Sequence, residues 1–383
     1  MLKKKWKILV LTDDMPWGHR SIAKAIYGFL KENEGKNNFQ VEYAAIKAEG
    51  GVASDVYKFY YKYSPKLGKI FFNSGNNGLT NKVFDEMAKK NLLGLKKEIT
   101  KINPDLIISA YFLHTRSLSL WRSETKKTFK LWTVVADPWT IYPMSIMSEV
   151  DLHLVYDEVG FNLAVKMGVP RDKILITGWW VRQDMYKKVD KDKTKMLLGI
   201  NDDRPVVFIG GGSLGTSALP KLLPSMFFLK TKAFFIINTG ADKLAHRLVK
   251  NYLRLIRKIR KDDVVLIKNM GWIEDMAQVL SVSDIVFGKA GPNFLFDCVA
   301  CNKPFVSITH IGGQEDGNIE LIKKKKLGWV KERTDEMNKF LVEYLKNPKF
   351  YENKFLKDIQ IESMKNQKSL PMVLERVKKE LNV

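Results

Sequence analysis

Short apolar runs alternate with longer amphipathic stretches along almost the whole chain, and this alternation most restricts what the chain can fold into. Runs rich in Val, Ile, Leu and Phe with no polar alternation read as strands buried on both faces. Parallel neighbours need a crossover between them, so strand, helix, strand units imply parallel sheets. The expected strands in the first half are Ile8 to Leu11, Val41 to Ala45, Leu106 to Ser109, Leu131 to Ala136, Leu152 to Val155 and Ile174 to Thr177. In the second half they are Val206 to Ile209, Phe234 to Asn238, Val264 to Ile267, Ile285 to Phe287 and Phe305 to Ile308. The fold class is therefore α/β: two doubly wound Rossmann-like domains, expected to face each other across a cleft at the carboxyl ends of their strands.

A chain of 383 residues exceeds what one core usually organises. The expected division is an N-terminal domain over 1–186, a C-terminal domain over 204–349 and a helical tail over 350–383 that crosses back to the first domain. The join is placed between Tyr186 and Arg204, because Lys187 to Lys195 is dense in charge and has little to bury.

The formal charge is +22, with +10 in residues 1–190 and +12 beyond, so no single basic tail explains it. A positive surface on both halves suits a polyanionic partner such as anionic lipid headgroups or nucleic acid. No basic stretch carries the aromatic spacing or helix pattern of a nucleic-acid module, so a nucleic-acid partner is not expected. Cys298 and Cys301 have no second pair or histidine to complete a zinc site, and read as reduced core residues. The N-terminus passes directly into a strand with Asp13 and Asp14 behind it, and no run of about 18 apolar residues is free of charge. The expected location is the cytoplasm.

The chemistry-bearing motifs follow expected strands. Lys289-Ala290-Gly291-Pro292-Asn293 follows one strand, Asp297 stands a turn further on, and Gly313-Gln314-Glu315-Asp316-Gly317-Asn318 follows the next strand. A strand, turn and helix of this kind places backbone N–H groups and a lysine where phosphates bind, with polar side chains at sugar distance. In the second half, Gly211, Gly212 and Ser213 follow another strand, and a glycine run permits close backbone approach to an anion. In the first half, the loop after the first strand ends in Gly18 and His19 at a helix N-terminus. His19 can accept a proton near neutrality, and Asp14 or Asp137, each at a strand end, can orient it or act as base itself. The phosphate-binding turns with polar side chains beside them read as a nucleotide-sugar site.

Taken in order, Gly18-His19, Val135-Ala136-Asp137, Gly168-Val169 through Thr177-Gly178, Gly271-Trp272-Ile273-Glu274-Asp275-Met276, Lys289 to Pro292 and Gly313 to Asn318 resemble glycosyltransferase family 28, specifically its group of monogalactosyldiacylglycerol synthases and diacylglycerol glucosyltransferases. The resemblance implies a GT-B fold whose C-terminal domain holds a UDP-sugar while the N-terminal domain meets a lipid acceptor. By position, Gly271, Trp272 and Ile273, with Met276 nearby, would frame the uracil. Asp297 stands where the family has a ribose-gripping glutamate. Lys289, Ala290, Gly291, Pro292, Asn293 and Gly211 to Ser213 would surround the diphosphate, and Gln314, Glu315 and Asn318 would hydrogen-bond the sugar hydroxyls. Pro16 and Trp17 replace two glycines of the family's first loop. No metal or other cofactor is implied.

For the acceptor, the segment 52–72 is crowded with rings and cations, among them Tyr57, Lys58, Tyr60, Tyr61, Lys62, Lys66, Lys69 and Phe71. Amphipathic rings with lysines suit a bilayer interface containing anionic lipid. The expected partners are thus UDP-glucose or UDP-galactose, a lipid acceptor such as diacylglycerol and an anionic membrane surface, with the protein peripheral on its cytoplasmic face. The alternatives are an enzyme like the UDP-N-acetylglucosamine 2-epimerases, which share the architecture, and a non-catalytic relic that binds UDP or lipid.

Overall fold

The computed structural model describes residues 5–15, 18–48, 78–125, 127–210, 219–260 and 262–383. They form two α/β units, each around a parallel sheet of six strands.

The first unit comprises residues 1–183, 311–317 and 365–383. Its strands are β1 (Trp6–Thr12), β2 (Phe39–Ala45), β3 (Leu106–Ser109), β4 (Lys130–Val134), β5 (Leu152–Val155) and β6 (Ile174–Ile176), with helices α1 (Gly18–Asn33), α2 (Gly78–Ile102), α3 (Phe112–Thr125) and α4 (Glu158–Lys166) between them. The strand order is β2-β1-β3-β4-β5-β6, all parallel. Ile8, Leu9, Val10 and Leu11 have no exposed surface, as the unbroken apolar run requires when helices cover both faces of a sheet. Leu9 and Leu11 pack with Leu92, Leu95 and Ile99 of α2 and with Leu118 and Trp121 of α3.

The second unit comprises residues 184–310 and 318–364. Its strands are β7 (Val206–Gly210), β8 (Ala233–Asn238), β9 (Val265–Met270), β10 (Ile285–Lys289), β11 (Phe305–Thr309) and β12 (Gly328–Val330), in the order β12-β11-β10-β7-β8-β9. Its helices are α5 (Lys191–Leu198), α6 (Leu219–Phe228), α7 (Lys243–Ile259), α8 (Met276–Val282), α9 (Pro292–Ala300), α10 (Asp316–Lys324), α11 (Thr334–Lys346), α12 (Pro348–Lys354) and α13 (Leu356–Gln367); α14 (Ser369–Leu381) belongs to the first unit. Its core gathers Val207, Ile209, Phe235, Ile237, Phe287 and Val306 from the sheet with Phe340, Leu341 and Tyr344 of α11.

Each sheet reverses direction once: the chain leaves β1 toward β2 and returns to β3 on the other side, and leaves β7 toward β8 and returns to β10. The loops at such a reversal diverge and leave a crevice at the strand ends, where ligands of open sheets bind. The first reversal lies between β1 and β3, the second between β7 and β10.

The stretch read as a bare charged join carries α5. Asp190 caps it, accepting the Lys193 N–H at 3.0 Å, and Gly199 closes it with φ 78°. Thr194 and Leu198 are buried, so the segment does contribute to a core. β12, with three residues, is too short to show a period. The tail divides: residues up to 364 stay with the second unit, and residues from 365 join the first. There Asn366 Oδ1 accepts the Trp179 N–H at 2.9 Å, and the Ser369 hydroxyl donates to the Trp179 carbonyl at 2.8 Å.

β12 can pair with β11 only because residue 328 is glycine. It faces Phe305 in register, at φ 156°, and a Cβ there would overlap the Phe305 carbonyl oxygen and lie 2.8 Å from its nitrogen. Backbone cannot step aside as a side-chain tip can. Gly328→Ala is therefore expected to destabilise the second unit by roughly 3 kcal/mol, read as a lower urea midpoint; an unchanged midpoint would show that the edge strand pairs elsewhere.

Candidate active site

In the first unit the β1/β3 reversal brings the loop after β1 against the start of α3. Asp13, 2% exposed, anchors this loop: Oδ1 accepts the Met15 N–H at 2.6 Å and Oδ2 accepts the Ala48 N–H at 2.9 Å. His19, in the first turn of α1, stands edge-on to Tyr111 with ring centres 5.4 Å apart. A hydrogen bond to the Ala110 backbone raises its basicity, so it runs to the carbonyl. Nδ1 is enclosed and has no hydrogen-bond partner among the described residues, so the ring keeps a nitrogen that no neighbour engages. Burial, the largest influence, pulls the imidazole below its ordinary value of 6.5, against the opposing pull of Ala110 and Asp13, so the ring is neutral at pH 7.

Asp14 does not take the orienting position expected of it. Its side chain is exposed and lies 3.4 Å from Arg20 Nη1, while the neighbouring Asp13 is the carboxylate whose charge His19 feels. In the loop beyond β1 the Asp13 carboxylate is drawn inward by two backbone N–H groups, while Asp14 is left on the outside. Sequence reasoning missed Asp13; its place directly after a buried strand was the available signal.

Behind His19 lies His114, with no exposed surface. Its Nε2–H donates to the Ile46 carbonyl at 2.9 Å, and Nδ1 accepts from Asn91 Nδ2 at 3.0 Å. Asn91 also donates to Ser117 Oγ at 2.8 Å. With both ring nitrogens committed in the neutral form, burial drives the His114 pKa down to about 4.

Asp137, 8% exposed, follows β4 and accepts a long hydrogen bond from Gln314 Nε2 at 3.4 Å. The same turn is held by Gly317, whose N–H donates to Thr140 Oγ1 at 2.6 Å; a Cβ on Gly317 would lie 2.8 Å from the Thr140 nitrogen. The structure thus brings Asp137 and Gln314 together, two residues the sequence had assigned to separate tasks. Glu315 departs from its expected outward role: it is 4% exposed, and its Oε2 accepts the Ile311 N–H at 2.7 Å. Asp316 likewise turns back to accept the Gly313 N–H at 2.9 Å, across a residue at φ 86°.

In the second unit, β10 ends at Lys289 beside the end of β7, with Gly288 opposite Gly210. A Cβ on either glycine would run into the Phe294 ring. Gly291 is the N-cap of α9 and Pro292 its first residue, so the first-turn N–H groups, which have no intrahelical acceptors, sit at the β7/β10 reversal together with Lys289. Ala290 is pinned on both sides: its N–H donates to the Thr309 carbonyl at 2.9 Å, and its carbonyl accepts from Asn318 Nδ2 at 2.8 Å. The Asn318 amide nitrogen therefore braces this turn, while its buried Oδ1 has no partner among the described residues. Asn293 follows in the first turn of α9.

Asp297, one turn along α9, raises the pKa values of Tyr186 and Cys301 by its charge; burial is the larger cause for both and pushes the Cys301 thiol up to about 12. Both cysteines are free thiols. Gly271, Trp272 and Ile273 link β9 to α8, with Trp272 66% exposed. Asp275 caps α8 by accepting the Gln278 N–H at 3.1 Å, which sets Met276 at its first position. Gly211, Gly212 and Ser213 lie outside the described residues, as do Pro16, Trp17 and the proposed acceptor residues Tyr57, Lys58, Tyr60, Tyr61, Lys62, Lys66, Lys69 and Phe71.

The family model for monogalactosyldiacylglycerol (MGDG) synthase matches residues 19–181, and that for the glycosyltransferase family 28 C-terminal domain matches residues 206–373. A probable chloroplastic monogalactosyldiacylglycerol synthase of Glycine max is 24% identical over 363 residues, covering 91% of this chain and 67% of the relative. A processive diacylglycerol beta-glucosyltransferase of Bacillus pumilus is 24% identical over 319 residues, covering 82% of this chain and 79% of the relative. Among solved structures, Acinetobacter baumannii MurG aligns at a TM-score of 0.60 with 14% identity, over 98% of this chain and 99% of that one. Anabaena HepE in complex with UDP-glucose aligns at 0.56 with 14% identity, over 98% and 99%. The UDP-GlcNAc 2-epimerase of Neisseria meningitidis bound to UDP-GlcNAc aligns at 0.60 with 15% identity, over 97% and 100%. These similarities of structure carry the GT-B type of fold, and the two family models together span most of the sequence. The chain belongs to glycosyltransferase family 28 and resembles its monogalactosyldiacylglycerol synthase group.

Proposed function

We propose that this protein transfers a hexose, glucose or galactose, from a UDP-sugar to the hydroxyl of a membrane lipid such as diacylglycerol. The observation that carries the reading is His19: a neutral imidazole in the first turn of α1 at the first reversal, whose Nδ1 has no partner among the described residues. Support for the substrate class comes from the relatives, whose names specify diacylglycerol glycosylation, and from neighbours of the same fold that hold UDP-glucose or UDP-GlcNAc.

In this reading the lipid hydroxyl attacks the anomeric carbon, its proton passes to the imidazole of His19, and the bond from that carbon to the diphosphate oxygen breaks. UDP departs with the electron pair. The N-terminal turn of α9 and Lys289 stabilise the charge that develops on the diphosphate, as oriented N–H groups and a cation do without reorganising. Gln314 takes the sugar hydroxyls, and Asp297 takes the ribose, while Asn318 braces the Ala290 turn. Asp137 orients Gln314 through their shared hydrogen bond.

The test is transfer from labelled UDP-glucose and UDP-galactose into vesicles that contain diacylglycerol, for the native chain and for Gln314→Ala. Label should enter the lipid phase from one donor and fall by ~10-fold or more in the variant, the scale of one or two lost hydrogen bonds that count in the transition state. The reading uses no metal, so EDTA should leave the rate unchanged. Consumption of the UDP-sugar without any lipid product would instead favour the epimerase chemistry found on this fold, and UDP binding without turnover would favour a relic.

A further inference from the structure

Helix α7 has two apolar faces, and packing within its unit uses one. Val249 and Ile256 are buried, and Val249 and Leu253 join the core of the second unit. Leu244, Leu248, Leu255 and Ile259, by contrast, are 62%, 55%, 50% and 58% exposed. At 100° per residue these four fall within about 60° of one another, a continuous stripe along the helix. Phe228 at the end of α6, 76% exposed, extends it. Arg260 fastens the two helix ends together by donating to the Phe227 carbonyl at 2.9 Å.

The helix holds no acidic residue, and Lys243, Arg247, Lys250, Arg254, Arg257 and Lys258 are all exposed. They occupy the arc on the other side of the leucine stripe from the buried face. None forms an ion pair among the described residues. A continuous stripe of exposed leucines is costly on a surface that meets only water, and with a row of cations beside it the helix matches the section of a membrane interface, where acyl chains lie beneath anionic headgroups.

We propose that α7, with Phe228, is a docking surface for anionic membrane lipid, the leucine stripe entering the acyl boundary and the basic row lying among headgroup phosphates. The surface belongs to the second unit and includes none of the residues 52–72 that the sequence suggested. Its sense rests on the lipid-acceptor reading above, but binding can be measured with no sugar donor present.

The experiment is flotation of the full-length protein with vesicles of phosphatidylcholine alone and of phosphatidylcholine mixed with phosphatidylglycerol. The variants are Leu248→Glu/Leu255→Glu and Arg247→Glu/Arg254→Glu. All four side chains are solvent-exposed, and far-ultraviolet circular dichroism checks that the fold is retained. Native protein should float with the anionic vesicles, less so at high salt, and each double variant should lose affinity by ~10-fold or more. Both variants floating like the native chain would overturn the proposal. It would equally be overturned if Leu248→Glu/Leu255→Glu turned a dimer into a monomer in sedimentation velocity and left flotation unchanged, because the stripe would then cover a second copy. Loss of flotation in the variants together with no sugar transfer by the native chain would sink the proposed reaction and leave the docking surface standing.

Discussion

Replacing His19 with alanine is expected to lower sugar transfer by ~10²- to 10⁴-fold, the usual contribution of a positioned general base, while UDP still binds. The loss should appear in kcat, because the imidazole acts on the acceptor proton. Asp14→Ala is the contrasting substitution: Asp14 is exposed beside Arg20, and its removal should leave the rate nearly unchanged. The pH profile separates catalysis from mere packing. Burial lowers the His19 pKa, so its basic form persists below pH 6.5, and the acid limb of kcat should lie on the acid side of an ordinary histidine. A His19→Ala enzyme within tenfold of the native rate would remove His19 from the chemistry and point to Asp137 as base.

The second large effect is acid lability. His114 and His153 have no exposed surface, and burial holds both near a pKa of about 4. His153 accepts the Met147 N–H at 3.3 Å on Nε2, a bond that the protonated ring cannot make. Above pH 6.5 both rings are neutral whether the chain is folded or unfolded, and neither adds a pH dependence. As pH falls below 6.5 the unfolded chain takes up the protons and the folded chain refuses them until about pH 4, so stability is lost across that window. The full loss is roughly 3 kcal/mol per histidine. Thermal unfolding measured from pH 7 to pH 4 should show Tm falling steeply, and His153→Gln, which keeps an acceptor for Met147 without a titrating ring, should flatten the slope. Equal slopes for the native and variant proteins would place the acid sensitivity elsewhere.

The strands were legible in sequence because sheets covered on both faces need unbroken apolar runs, and every run expected from Ile8 onward became a strand. The failures were local and have causes. Charge density hid α5, although Asp190 and Gly199 already marked its two ends. β12 was too short for a period to show, and only the absence of a side chain at Gly328 lets it pair. Among the site residues, the Lys289 to Pro292 turn was recognisable because a lysine, a glycine N-cap and a proline at a helix start leave few other geometries. The inward turn of Glu315 was not recognisable, since its partner is a backbone N–H four residues back.

By itself the sequence determined the class of fold, the family and the residue types at the two reversals, because burial periodicity and turn chemistry are local properties of a chain. Tertiary structure alone decided which of two adjacent aspartates faces His19, that Gln314 meets Asp137, and that Asn318 braces the Ala290 turn rather than presenting its amide nitrogen. It also separated the two apolar faces of α7 into one that is packed and one that is bare. Each of these depends on which groups lie opposite one another across strand order and helix packing, and contacts between residues 28 or 177 positions apart are set by that arrangement, not by any neighbouring residue.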